Sequence, residues 1–113
     1  MKKNFYLSNS EKETIRLASV LSKGLKPNDC LALIGNFGAG KTTFVKGLAS
    51  GLGVGKKCYV SSPSFVILKI YNAKIPVYHF DLYRLKNLRD LEAVGLEEFI
   101  NSGGISVIEW PDN

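Results

Sequence analysis

The sequence predicts an α/β fold: a three-layer domain on a mixed, mostly parallel sheet that includes one β-hairpin. Three observations predict it. The short apolar run Cys30-Leu31-Ala32-Leu33-Ile34 has the length and composition of a buried parallel strand. It runs into Gly35-Asn36-Phe37-Gly38-Ala39-Gly40-Lys41-Thr42-Thr43, which fits G-x-x-x-x-G-K-[ST], a strand-to-helix loop whose backbone N–H groups curl around phosphate oxygens. Further on, Phe65 to Tyr71 and Ile75 to Leu82 are rich in β-branched and aromatic residues and separated only by Asn72-Ala73-Lys74, so they read as a hairpin.

The remaining elements follow in chain order. Asn4-Phe5-Tyr6-Leu7 can form a short first strand. Ser10-x-x-Glu13 offers a capping box ahead of Thr14 to Leu21, where Ile15, Leu17, Ala18, Val20 and Leu21 leave one polar face. Gly24 suits a helix stop, and Lys26-Pro27-Asn28-Asp29 a turn. After the glycine loop, Phe44, Val45, Leu48, Ala49 and Leu52 recur at helical spacing until Gly51, Gly53 and Gly55 break the chain. The stretch from Gly55 to Ser64 is polar. Helical segments are expected near Leu88 to Val94 and Leu96 to Ile100, before Gly103-Gly104 turns the chain into a last apolar strand, Ile105 to Ile108.

A length of 113 residues makes one domain, 1–113, with little room for accessory modules. Hydrophobic content of 45% and charged content of 22% are ordinary for a globular protein, and no apolar stretch approaches a membrane span, so no membrane association is expected. Met1-Lys2-Lys3 precedes no apolar signal core, which points to the cytoplasm. Cys30 and Cys58 lie far apart without a C-x-x-C, so both read as reduced, buried small hydrophobes. The net charge of +5 is scattered over the chain with no long basic run, which suits a solvated surface with at most a weak pull on RNA or an acidic partner.

Within the loop each fixed residue has a physical task. Gly35, Gly38, Ala39 and Gly40 let the backbone approach phosphates, and the backbone of Lys41, Thr42 and Thr43 adds a helix N-terminus. Lys41 reaches the β- and γ-phosphates, and Thr42 offers a hydroxyl to Mg²⁺, a hard cation that prefers oxygen ligands. The fold is therefore P-loop NTPase-like, and the expected ligands are a nucleoside triphosphate and Mg²⁺. Such a site needs an acidic residue at a strand end to hold and orient the metal. Glu109, directly after Ile105 to Ile108, is the choice for the metal shell, and Asp81 for a water-mediated metal contact or for orienting water. By alternation His79, Asp81 and Tyr83 share a face. His79 reads as a proton relay or as a packed structural residue. Arg84 reads as a γ-phosphate contact or as the partner of Asp90 or Glu92. Ser61-Ser62-Pro63-Ser64 reads as a phosphate-sensing switch or an ordinary turn, and Trp110 as a cap on the site, a partner's anchor or core filler.

Together these pieces resemble the bacterial TsaE family, also called YjeE, through essentially the whole chain. Gly35 to Thr43 is similar to the family's Walker A, Ser62-Pro63-Ser64-Phe65 to its Ser-Pro-Thr-Phe switch, and His79-Phe80-Asp81-Leu82-Tyr83-Arg84-Leu85 to its His-x-Asp-x-Tyr-Arg segment, with Gly95-Leu96-Glu97-Glu98 and Glu109-Trp110-Pro111 completing the set. The resemblance implies an ATPase of tRNA threonylcarbamoyladenosine biosynthesis that uses ATP and Mg²⁺ and works with TsaB and TsaD, meeting tRNA through that complex. It implies phosphate contacts from Lys41 and the Gly38 to Thr43 backbone, Mg²⁺ on Thr42 and Glu109, hydrolysis supported by Asp81, and Thr14 near the base. Lys41, Asp81 and Glu109 are then the catalytic set. Ser64 replaces the usual threonine of the switch, and Asn113 stands near the place of a common arginine. Family members usually continue into further C-terminal strands. Without them the Ile105 to Ile108 strand is expected to leave an open edge, on which two copies of the chain could dimerise.

Two functional classes fit these residues. One is an ATPase, slow alone and accelerated by partners. The other is a nucleotide-dependent binding module of the same complex with little or no turnover. A small-molecule P-loop kinase is a third reading, for which no acceptor-binding or lid segment is evident.

Overall fold

The computed structural model describes residues 5–35, 40–55, 68–82 and 95–111, with only the backbone for residues 110–111. In chain order the elements are α1 (Glu11–Ser22), β1 (Cys30–Gly35), α2 (Lys41–Gly51), β2 (Leu68–Tyr71), β3 (Val77–Asp81), α3 (Leu96–Ile100) and β4 (Ile105–Pro111). They build one four-stranded sheet in the order β1-β4-β3-β2. β4 runs parallel to both β1 and β3, while β2 and β3 form the expected antiparallel hairpin. The sheet is mixed and mostly parallel.

Local chemistry starts α1 where the capping box predicts. Ser10 is extended, and its Oγ accepts the Glu13 N–H at 3.1 Å. The Glu13 carboxylate reaches back to the Asn9 N–H at 2.6 Å, one residue before the cap, so both donors are satisfied. The turn into β1 uses Asn28 at φ 72°, a left-handed conformation that asparagine tolerates. Its Oδ1 accepts from the Gly103 N–H at 2.6 Å, which joins this turn to the one before β4.

Pairing register divides the sheet into two faces. One carries Tyr71, Val77, Ile105 and Val107, packed with Ala18 of α1 and Val45, Leu48 and Ala49 of α2. The other carries Phe80 and Ile108, covered by Leu96, Phe99 and Ile100 of α3. The Phe99 ring meets Tyr78 and Phe80 edge-on, with centroids 5.0 and 5.7 Å away, contacts worth about 0.5–1.5 kcal/mol each beyond area burial. Helices on both faces complete the three layers.

Several sequence expectations need correction. The segment 5–7 forms no strand: Phe5, Tyr6 and Leu7 are exposed, and none of the described strands pairs with them. β1 is parallel but not buried, because it lies at the sheet edge and alternates between exposed and half-buried positions, with Ile34 68% exposed. Cys30 is accordingly an exposed free thiol, although partial loss of water still raises its pKa above the ordinary value. The open edge expected on Ile105 to Ile108 is absent, since β4 is interior and paired on both sides. In α1, Val20 and Leu21 are exposed, while the buried positions are Ala18 and Ser22, small residues that let α2 approach closely. The helix expected at Leu88 to Val94, the residues Phe65 to Ile67 of the hairpin, and Cys58 lie outside the described residues.

Ser106 sits on β4, fully buried, and its Oγ has no hydrogen-bond partner among the described residues. An unsatisfied buried hydroxyl costs about 1–3 kcal/mol, more than the weaker strand preference of alanine takes back on a scale spanning about 1 kcal/mol. Ser106→Ala is therefore expected to leave the urea midpoint unchanged or to raise it. A drop in the midpoint would show that the hydroxyl is bonded.

Candidate functional site

The C-terminal ends of β1, β4 and β3 lie side by side, the place where open α/β sheets bind ligands. Register sets Leu33 beside Glu109 and Glu109 beside Asp81, on the face that α1 and α2 cover. β1 ends at Gly35 and α2 begins at Lys41. Gly40 caps α2 at φ 92°, a conformation that a Cβ disfavours. Lys41 Nζ donates to the Gly35 carbonyl at 2.7 Å, tying together the two ends of the glycine loop. The first-turn N–H groups of α2 have no acceptors within the helix, and they give this end a positive potential suited to anions.

Thr42 Oγ1 lies 3.4 Å from each carboxylate oxygen of Glu109, so residues far apart in the chain converge as a hydroxyl and a carboxylate. Glu109 and Asp81 are both buried, only 4% and 8% exposed. Register sets these two carboxyl groups on adjacent strands. The donors are hard oxygens. A hydroxyl and a carboxylate are a donor set that fits Mg²⁺, an ion that takes one or two carboxylates and keeps its waters and substrate phosphates.

His79 completes the cluster. Its Nε2 is 2.5 Å from Glu109 Oε2, and its Nδ1 is 2.9 Å from the Tyr71 hydroxyl. Alternation puts His79 and Asp81 on one face, as expected, but only the strand pairing brings Glu109 and Tyr71 to them. Sequence reasoning missed Tyr71 altogether. The signal available was the run of polar side chains on one face of two apolar strands, which cannot be joined without knowing the register.

The other predicted residues distribute as follows. Thr43 Oγ1 lies 3.5 Å from Glu11 Oε1, linking the starts of α1 and α2. Thr14, one turn beyond Glu11, bonds Ser8 Oγ at 2.7 Å and the Ser10 carbonyl at 3.2 Å. Gly38, Ala39, the Ser61 to Ser64 segment, Tyr83 and Arg84 lie outside the described residues, as does the Trp110 side chain.

A strand ending at Gly35, a helix starting at Lys41 whose ammonium bonds back to that strand end, and a Thr42 hydroxyl facing a carboxylate on β4 define a P-loop-type α/β domain. The family model described as "Threonylcarbamoyl adenosine biosynthesis protein TsaE" matches residues 8–113, and the chain belongs to that family. It is 39% identical over 104 residues to the tRNA threonylcarbamoyladenosine biosynthesis protein TsaE of Treponema pallidum, covering 92% of this chain and 76% of the relative. The TsaE protein of Bacillus subtilis is 40% identical over 111 residues, with 97% of this chain and 68% of the relative covered. The crystal structure of Bacillus subtilis YdiB superposes with a TM-score of 0.74 at 38% identity, over 91% of this chain and 61% of that one. No described helix is long and apolar enough to cross a membrane.

Proposed function

We propose that this chain binds ATP with Mg²⁺ and hydrolyses it, and that turnover serves threonylcarbamoyl modification of tRNA adenosine in the cytoplasm, together with TsaB- and TsaD-like partners. The observation that carries the reading is the convergence of Thr42 on Glu109 beside the start of α2. A phosphate loop without a strand-end carboxylate could hold an anion, but it could not orient a metal.

Lys41 supplies the mobile positive charge of the loop, and its ammonium group exchanges the Gly35 carbonyl for phosphate oxygens. Thr42 and Glu109 are the residues to hold Mg²⁺, which when bound neutralises charge on the β- and γ-phosphates. Asp81, next to Glu109 in register, is the carboxylate to orient the attacking water. Thr14 and Thr43 belong to the nucleotide side of the site, since α1 and α2 meet there through Glu11 and Thr43. Slow turnover by the chain alone and acceleration by a partner follow the pattern of small P-loop proteins whose site a partner completes.

Calorimetric titration with ATP and ADP, each with and without Mg²⁺, tests binding, and phosphate release with and without the two partners tests turnover. Saturable Mg²⁺-sensitive binding with partner-stimulated release is expected. Absence of nucleotide binding by the folded chain would overturn the reading. Binding without release, even with both partners present, would reduce it to a nucleotide-dependent binding module.

A further inference from the structure

Tyr71, His79 and Glu109, one group from each of β2, β3 and β4, form a polar chain on the sheet face that also carries Val77, Ile105 and Val107, with Lys69 and Asp81 beside it. Tyr71 is 2% exposed and His79 fully buried. Their surroundings are core residues, Val77 and Val107 among them, so each polar atom here has been taken out of water. Apolar side chains could fill the same space without that cost. The polar chain points in one direction, toward the only carboxylate that Thr42 contacts among the described residues.

The distances decide what orients that carboxylate. Thr42 lies 3.4 Å from both oxygens, a long and evenly divided contact that favours neither. His79 lies 2.5 Å from Oε2 alone. With Nε2–H donating to Oε2, one oxygen is committed and the other keeps its lone pairs for a ligand. The Tyr71 hydroxyl on Nδ1 fixes the ring plane, and by donating to Nδ1 it selects the tautomer with its proton on Nε2.

We propose that Tyr71 and His79 are positioning residues that lock the Glu109 carboxylate in the orientation that receives a divalent cation at the phosphate loop. The inference rests on the proposed Mg²⁺-nucleotide site and adds to it the groups that pre-orient its acidic ligand. It follows the general pattern in which hydrogen bonds behind a metal ligand set its direction, and in which their loss costs about 10–100-fold in metal affinity. Tyr71 and His79 act through Glu109 and leave the phosphate contacts of Lys41 unchanged.

The test uses Mn²⁺ as a paramagnetic probe, titrated into the whole chain saturated with a non-hydrolysable ATP analogue and read by electron paramagnetic resonance. The variants are Tyr71→Phe, His79→Leu and His79→Gln, with melting temperature and metal-free nucleotide affinity measured beside them. Expected are half-saturating Mn²⁺ concentrations raised about 10–100-fold in His79→Leu and by a smaller factor in Tyr71→Phe. Metal-free nucleotide affinity should stay within about twofold, and His79→Gln should recover part of the loss because its amide can donate where Nε2 did. If Tyr71→Phe and His79→Leu fold but shift only the melting temperature, with Mn²⁺ half-saturation at the unsubstituted value, the pair is structural and the proposal fails. A different result marks failure of the underlying reading: no nucleotide-dependent Mn²⁺ binding by the unsubstituted chain, or none lost in Glu109→Gln.

Discussion

Gly47→Ala is expected to lower the melting temperature by roughly 8–16 °C, although alanine is the better helix former. A Cβ at Gly47 would lie 2.5 Å from the Ile15 carbonyl oxygen, 2.6 Å from the Ala18 Cβ and 2.9 Å from the Ile15 Cα. Two of these atoms are backbone and the third is fixed to it, so no side chain can rotate away and the helices must part. Four residues on, a Cβ at Gly51 would collide with Ser22 Oγ and lie 2.7 Å from the Ser19 carbonyl oxygen. The pair forms a flat strip on α2 against which Ala18 and Ser22 of α1 pack. Helix preference favours the substitution by about 1 kcal/mol. Overpacking opposes it by about 3 kcal/mol, the upper part of its usual range because the obstacle is backbone. The net loss of about 2 kcal/mol corresponds to the stated shift at about 4–8 °C per kcal/mol for a domain near this size.

The comparison that isolates the cause is Gly55→Ala. Among the described residues nothing lies within 4 Å of a Cβ at Gly55, and its φ is not in the left-handed region. That substitution should be neutral or stabilising by about 0.4–1 kcal/mol through the unfolded chain. Equal losses at Gly47 and Gly55 would mean that glycine content matters and the α1–α2 seam does not. The seam bears on the proposed site because α1 carries Glu11 to the start of α2, where Thr43 meets it.

The features legible in the sequence were those set by near neighbours in the chain. Ser10 and Glu13 announced the start of α1, the Gly35 to Thr43 pattern announced a strand, loop and helix, and the short Asn72-Ala73-Lys74 break announced a hairpin. Strand order was not legible, because it depends on partners distant in sequence. An apolar run such as Cys30 to Ile34 reads as buried whether it lies inside the sheet or at its edge, and the pairing with β4 alone puts it at the edge. The same limit applied to the site. Composition could place Asp81 at the end of β3, but it put Glu109 just past a strand that in fact runs on to Pro111. Their adjacency, and the bond from His79 that commits Oε2, follow from the β3–β4 register. α1 misled for a different reason: hydrophobic counting favoured Val20 and Leu21, whereas close approach to Gly47 and Gly51 selects small residues at the contact.

Lys41→Ala should weaken ATP binding on the order of tenfold to a hundredfold, the equivalent of removing a charge-assisted contact of roughly 1.5–3 kcal/mol. Its bond to the Gly35 carbonyl is part-buried, and losing a hydrogen bond of that kind costs the folded state about 0.5–1.5 kcal/mol. Affinity and stability should therefore separate, with a large change in the first and a small one in the second. Thr42→Ala supplies the contrast, because its hydroxyl faces Glu109 and is proposed to act through the cation. Calorimetry of both variants with and without Mg²⁺ distinguishes the two roles. The Lys41→Ala deficit should persist in metal-free buffer, since an ammonium group meets phosphate directly. The Thr42→Ala deficit should appear only when Mg²⁺ is present. If the Lys41→Ala deficit vanished without metal, the lysine would be acting through the cation site, and the division of labour between adjacent residues at the start of α2 would be wrong.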